Sequence, residues 1–179
     1  MATKIKRVGF GQVEPNHLSA QRNGQIYAQL PLDSNISILE NGQFMKYDYA
    51  HGKVGLSGDV SEYFLVLNEV KVYDERETYK DFAMINDKEH YVSGEAYPRL
   101  FKTNIGDIYT TNCVGGANTD KNAEYTYAEA LSVGDKLIVD TSTGYLVKDN
   151  SASTGMIWQV IKVYTMPDGQ PAVKIQRIN

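Results

Sequence analysis

The sequence has one cysteine, Cys113, so neither an intrachain disulfide framework nor a cysteine zinc site can be built. Long apolar runs are missing too. The longest, such as Phe64-Leu65-Val66-Leu67, falls far short of a bilayer span. Basic residues do not dominate: 18 Lys and Arg stand against 22 Asp and Glu, a net charge of −4. A duplex-DNA binder needs a concentrated basic face, which this balance does not supply. Only three histidines are present, His17, His51 and His90, and they are scattered. No Gly-x-Ser-x-Gly elbow occurs. Positive charge near Met1 is not followed by the apolar stretch of a signal peptide, so synthesis and first residence in a cytosol are expected.

What is present is apolar and aromatic. Hydrophobic residues make up 42% and aromatics 11%, too much for a disordered chain. At 179 residues, roughly two-thirds of the chain's surface can be buried without staples.

Residues 1–25 stand apart. Lys4, Lys6, Arg7 and Arg22 face one acid, Glu14. Gly9, Gly11, Pro15 and Asn16 break any helix, and no period of 3.6 or 2 is sustained. This reads as an extended arm outside the core, able to order on a partner.

From Gln25 the signal is β. Gln25-Ile26-Tyr27-Ala28-Gln29-Leu30 alternates polar and apolar. Segments 36–40 and 43–49 flank Asn41-Gly42, the signature of a tight hairpin. Residues 63–73 read as one long strand, with Asn68 marking a bulge. Residues 59–95 carry ten acids and four bases. Tyr97-Pro98 closes this stretch. Segments 100–103 and 108–112 then flank the turn Asn104-Ile105-Gly106-Asp107, and 125–131 has the composition of one or two helical turns. Val133 to Asp140 is turn then strand, with its return at 144–148. Segments 156–165 and 171–177 form a long hairpin about Pro167-Asp168-Gly169. Gly106-Asp107 and Gly134-Asp135 echo each other, each leading into a strand. The expected fold is mainly β. Antiparallel hairpins form a small barrel or sandwich, with an extended N-terminal arm and one or two short helical turns. The expected organisation is an arm (1–25), a first β lobe with the acidic segment (26–96), and a second, barrel-like unit (97–179). The last two can also be one continuous domain.

Candidate chemistry is thin. Gly9-Phe10-Gly11-Gln12-Val13-Glu14 starts like a dinucleotide loop but puts Glu14 where the third glycine belongs. Asn118, Asp120, Asn122, Glu124 and Glu129 follow the rhythm of a calcium loop, yet Ala123 occupies the position that requires glycine. Asp74, Glu75, Glu77 and Asp81 offer carboxylates at no defined separation. Cys113 has no neighbouring base in sequence. No catalytic residue, cofactor or metal is assigned. Thirteen tyrosines suit sheet packing, protein interfaces or sugar platforms. Trp158 reads as a core anchor.

Together, Gly9 to Gln21, the segment Gly24-Gln25-Ile26-Tyr27-Ala28-Gln29-Leu30-Pro31, and the units Val133-Gly134-Asp135-Lys136-Leu137 and Asp140-Thr141-Ser142-Thr143-Gly144-Tyr145-Leu146-Val147 resemble small structural proteins of tailed-bacteriophage heads. These are the capsid decoration (cement) and head-fibre-base proteins. The resemblance implies a non-enzymatic virion protein, made in the host cytoplasm, that binds the outer capsid surface and bridges capsid subunits. It also implies a homo-oligomer, a capsid-protein partner and a possible role in anchoring a head fibre, with no nucleic acid or membrane partner. Lys4, Lys6, Arg7, Phe10, His17 and Arg22 of the arm are the expected partner-binding residues. The alternative is a carbohydrate-binding β module for attachment to a host surface.

Overall fold

A computed structural model describes residues 11–19, 26–27, 30–68, 83–85, 96–115, 127–167 and 169–179. The strands are β1 (Val13–His17), β2 (Ile26–Tyr27), β3 (Ile38–Glu40), β4 (Phe44–Asp48), β5 (Lys53–Gly55), β6 (Phe64–Val66) and β7 (Ala83–Ile85). There follow β8 (Leu100–Phe101), β9 (Ile108–Thr111), a single 3-10 turn (Tyr127–Ala130), β10 (Lys136–Val139), β11 (Leu146–Lys148), β12 (Ile157–Thr165) and β13 (Pro171–Arg177). The fold is mainly β with antiparallel strand pairing, as expected. One sheet runs β1-β9-β13-β12-β10-β11, a second runs β2-β8-β6-β4-β5, and β3 pairs with β7 apart from both. The sheets are not closed into a barrel.

The β12–β13 hairpin forms where Pro167 and Gly169 place it. Met166 N–H donates to Gln170 O and Gly169 N–H to Met166 O, both at 2.8 Å. Its two strands occupy the middle of the six-stranded sheet. Trp158 is fully buried there, edge-on to Tyr109 at 5.0 Å and tilted against Phe44 at 5.9 Å. This core gathers Phe44, Leu65 and Phe101 from one sheet with Leu137, Val160 and Ile175 from the other. A second cluster, with Leu39, Tyr47, Val54 and Val66, draws mostly on residues 32–66 and adds Ala96 and Leu100.

The expected hairpin about Asn41-Gly42 is a corner instead. Asn41-Gly42 does turn, with Gly42 at φ +95°. But β3 leaves to pair with β7, and β4 pairs with β5 and β6. The turn is claimed by 66–68: Gly42 N–H donates to Val66 O at 2.9 Å, while the Asn41 side-chain amide donates from Nδ2 to Asn68 O at 3.2 Å and accepts at Oδ1 from Asn68 N–H at 2.7 Å. β6 stops at Val66, with Leu67 and Asn68 outside any strand; residues 69–73 of the expected long strand lie outside the described residues. Likewise Asn104–Asp107 links β8 of one sheet to β9 of the other.

The two Gly-Asp turns are structurally equivalent. Asn104 N–H and Ser132 N–H each donate to the Oδ2 of the aspartate three residues on, at 2.9 Å. Gly106 and Gly134 both have φ +95°. Gly106 N–H donates to Arg177 O, and Gly134 N–H to Val160 O, both at 2.8 Å. Ile108 then faces Gln176, Lys136 faces Gln159, and those two glutamines face each other. A local twofold through the Gln159–Gln176 pair thus relates β9–β13 to β10–β12.

Candidate partner-binding surface

The N-terminal segment is extended, but part of it belongs to the body. Residues 13–17 form the outermost strand of the six-stranded sheet, paired with β9. The reading of residues 1–25 as an arm outside the core therefore needs correction at 11–19. Leu18 is 3% exposed and sits in the same core cluster as Trp158. Val13 packs half-buried against that cluster.

Polar bonds do most of the seating. Gln12 N–H donates to Asn112 Oδ1 at 2.8 Å, and Thr111 Oγ1 donates to Gln12 O at 2.6 Å. Thr110 Oγ1 donates to Asn16 Oδ1 at 2.8 Å. Ser19 N–H donates to Asp107 Oδ1 at 2.9 Å, and its hydroxyl bonds the same oxygen. The receiving side chains Asp107, Thr110, Thr111 and Asn112 are all buried. Such groups must be paired when they leave water, so they form a prepared track for the segment. Gly11 starts this track. A Cβ there would lie 2.6 Å from Asn41 O and 2.7 Å from Glu40 Cβ. Only glycine lets the chain run this close to the 40–41 corner.

The outer edge of β1 is blunted. Pro15 offers no N–H, and the register shifts between Glu14 and His17. Both devices discourage the addition of a further strand. A partner at this edge meets side chains, with Pro15, Asn16 and His17 exposed. No known protein family, curated protein or solved structure matches the chain. The surface is therefore read from its geometry and residues.

Of the expected partner-binding residues, His17 lies exposed at the end of β1, opposite Ile108. Lys4, Lys6, Arg7, Phe10 and Arg22 lie outside the described residues, as do 74–81 and the candidate calcium ligands 118–124. Glu129 is exposed on the 3-10 turn. Among the described residues no three His, Cys, Asp or Glu side chains gather as metal ligands, and no helix is long and apolar enough to cross a membrane. Cys113 is buried against Gly42, away from solvent.

Sequence reading missed two polar ties between the halves of the chain. Glu40, 1% exposed, accepts from the Tyr145 hydroxyl, and Gln43 Nε2 donates to Thr143 O at 2.9 Å. Arg177 Nη1 donates to Glu62 Oε1 at 3.1 Å and to the backbone and hydroxyl of Thr103. Nothing in the local pattern signals either tie. The Gly-Asp echo did carry a signal, because each aspartate is a turn clamp. Asp135 also holds Lys148 at 2.8 Å. That bond, with those from Ser132 and Asn150, lowers its carboxyl to about 2.

Proposed function

We propose that the chain is a non-enzymatic structural protein of a tailed-phage virion, one that binds the outer capsid surface and bridges capsid subunits as a small homo-oligomer. The observation that carries the interaction role is the fixed track under residues 11–19. It anchors the chain at Gly11 on the sheet edge. The residues just before it include Lys4, Lys6, Arg7 and Phe10. Whatever these bind is thereby tethered to a rigid body. Basic residues on an acidic chain favour an acidic partner surface. Many copies on one shell turn a weak contact into firm attachment. The capsid as partner rests on the sequence resemblance.

The test is a truncation that respects the track. A chain starting at Gly11 keeps β1 and Leu18, so it should melt like the full-length protein. Full-length protein should co-sediment with purified phage capsid shells, less so as salt rises. The truncated chain should remain in the supernatant. Equal binding by both would remove the N-terminal segment from the mechanism. Failure of the full-length chain to bind shells would end the capsid reading. Sedimentation velocity over a range of concentrations tests the oligomer, and a monomer throughout would refute that part.

A further inference from the structure

The turn between β4 and β5 holds an aromatic ring open to solvent. Tyr49 is 60% exposed, whereas Tyr47 is 2% exposed. The two rings stack with centroids 5.4 Å apart and planes 9° apart. Tyr47 is in turn braced edge-on by Phe64 at 5.1 Å. One face of Tyr49 is thus backed by a ring rooted in the core. The Tyr49 N–H donates to Asp59 Oδ1 at 3.0 Å, which ties the backbone of the same residue.

Polar side chains share this turn and its backbone ties. Asp59 is exposed. His51 Nδ1 lies 2.8 Å from Asp48 Oδ2, which orients an imidazole that is 75% exposed and leaves Nε2 toward water. A protein-binding hot spot normally sits within a wider apolar patch. Among the described residues Tyr49 is the only exposed large apolar side chain between positions 30 and 68, and hydrogen-bonding groups share its turn. That pairing fits a sugar ring, which presents a flat C–H face bordered by hydroxyls. We infer that the β4–β5 turn is a carbohydrate-binding platform, with Tyr49 stacking on a pyranose and Asp59 and His51 bonding its hydroxyls.

The ring is already held in place, so little ordering is needed on binding. One platform gives weak affinity, of millimolar order. The inference does not depend on the capsid reading.

The test uses the full-length protein and ring-proton NMR, titrating cellobiose, lactose, maltose and chitobiose. At least one should shift the Tyr49 resonances. Tyr49→Ala should weaken that binding by about tenfold or more. Tyr49→Phe, which keeps the plane, should stay within a few-fold. Tyr164→Ala, on the other sheet, should change nothing. An unchanged melting temperature for each variant excludes misfolding. If none of the four sugars shifts the ring, or Tyr49→Ala binds as wild type, the inference fails. If Tyr49→Ala instead abolishes shell binding with no sugar response, the platform is a protein contact and the inference also fails.

Discussion

Leu18→Ala tests whether residues 11–19 are part of the folded body. Leu18 is 3% exposed and shares its cluster with Trp158, Tyr109 and Leu137. Removing a buried leucine side chain loses its transfer energy and leaves a cavity, for a total of about 2–5 kcal/mol. The site lies beside an edge strand, where the chain can relax, so a loss of about 2–4 kcal/mol is expected. For a protein of this size that lowers the melting temperature by roughly 5–15 °C. Trp158, the sole tryptophan, is fully buried in that cluster and reports it directly. Urea unfolding followed by its fluorescence should show a lower midpoint with an unchanged slope. His17→Ala, one residue away but exposed, should stay within about 0.5 kcal/mol. If Leu18→Ala also costs under about 0.5 kcal/mol, the segment is a free arm and the track argument collapses.

Three further substitutions probe the turns. The Asp135 carboxyl is held near 2 in the folded chain, below its ordinary 3.8. Its contribution to stability is therefore full above about pH 4 and lost as the pH falls through about 2. Asp135→Asn should flatten the fall of the urea midpoint over that window. A residual slope should remain from Asp48, Asp140 and Asp149, whose carboxyls are also lowered by hydrogen bonds. A wild-type slope in the variant would contradict the Lys148–Asp135 assignment. Gly42→Ala would place a Cβ 2.6 Å from Cys113 Cβ at φ +95°, so backbone strain and crowding should together cost about 2–4 kcal/mol. Gly134→Ala has the same φ but meets nothing within 4 Å, and should cost only about 1–2 kcal/mol. Equal losses in denaturant titrations would show that the corner at 40–42 is not packed as described.

The sequence made local turns legible and long-range partners illegible. Pro167 and Gly169 mark the β12–β13 reversal, and the strands on either side do pair. Asn41-Gly42 marks a reversal just as clearly, yet β3 pairs with β7. Turn residues fix the backbone locally, and which strand fills the edge is decided by packing elsewhere. The track for residues 11–19 was invisible for a similar reason. Its support comes from one buried leucine and from polar side chains near position 110, so no hydrophobic period betrays it. The Gly-Asp echo was visible, but its meaning lay in bonds to Val160 and Arg177. The open ring of Tyr49 looked in sequence like any other strand tyrosine, since exposure is set by the turn it occupies.

The order of the six-stranded sheet bears on how the protein is made. β13 lies between β9 and β12, although β1, β9, β10 and β12 are all synthesised before it. The middle of the sheet thus arrives after its flanks. Gln12 waits for Asn112, one hundred residues later, which at ribosomal speed is roughly 5–20 s. During that interval the first strand has no seat, and from then until β13 is made β9 lacks its second neighbour. Assembly of this sheet is held back until translation has passed residue 177, and a nascent chain stalled before β13 would present open strand edges to whatever lies nearby.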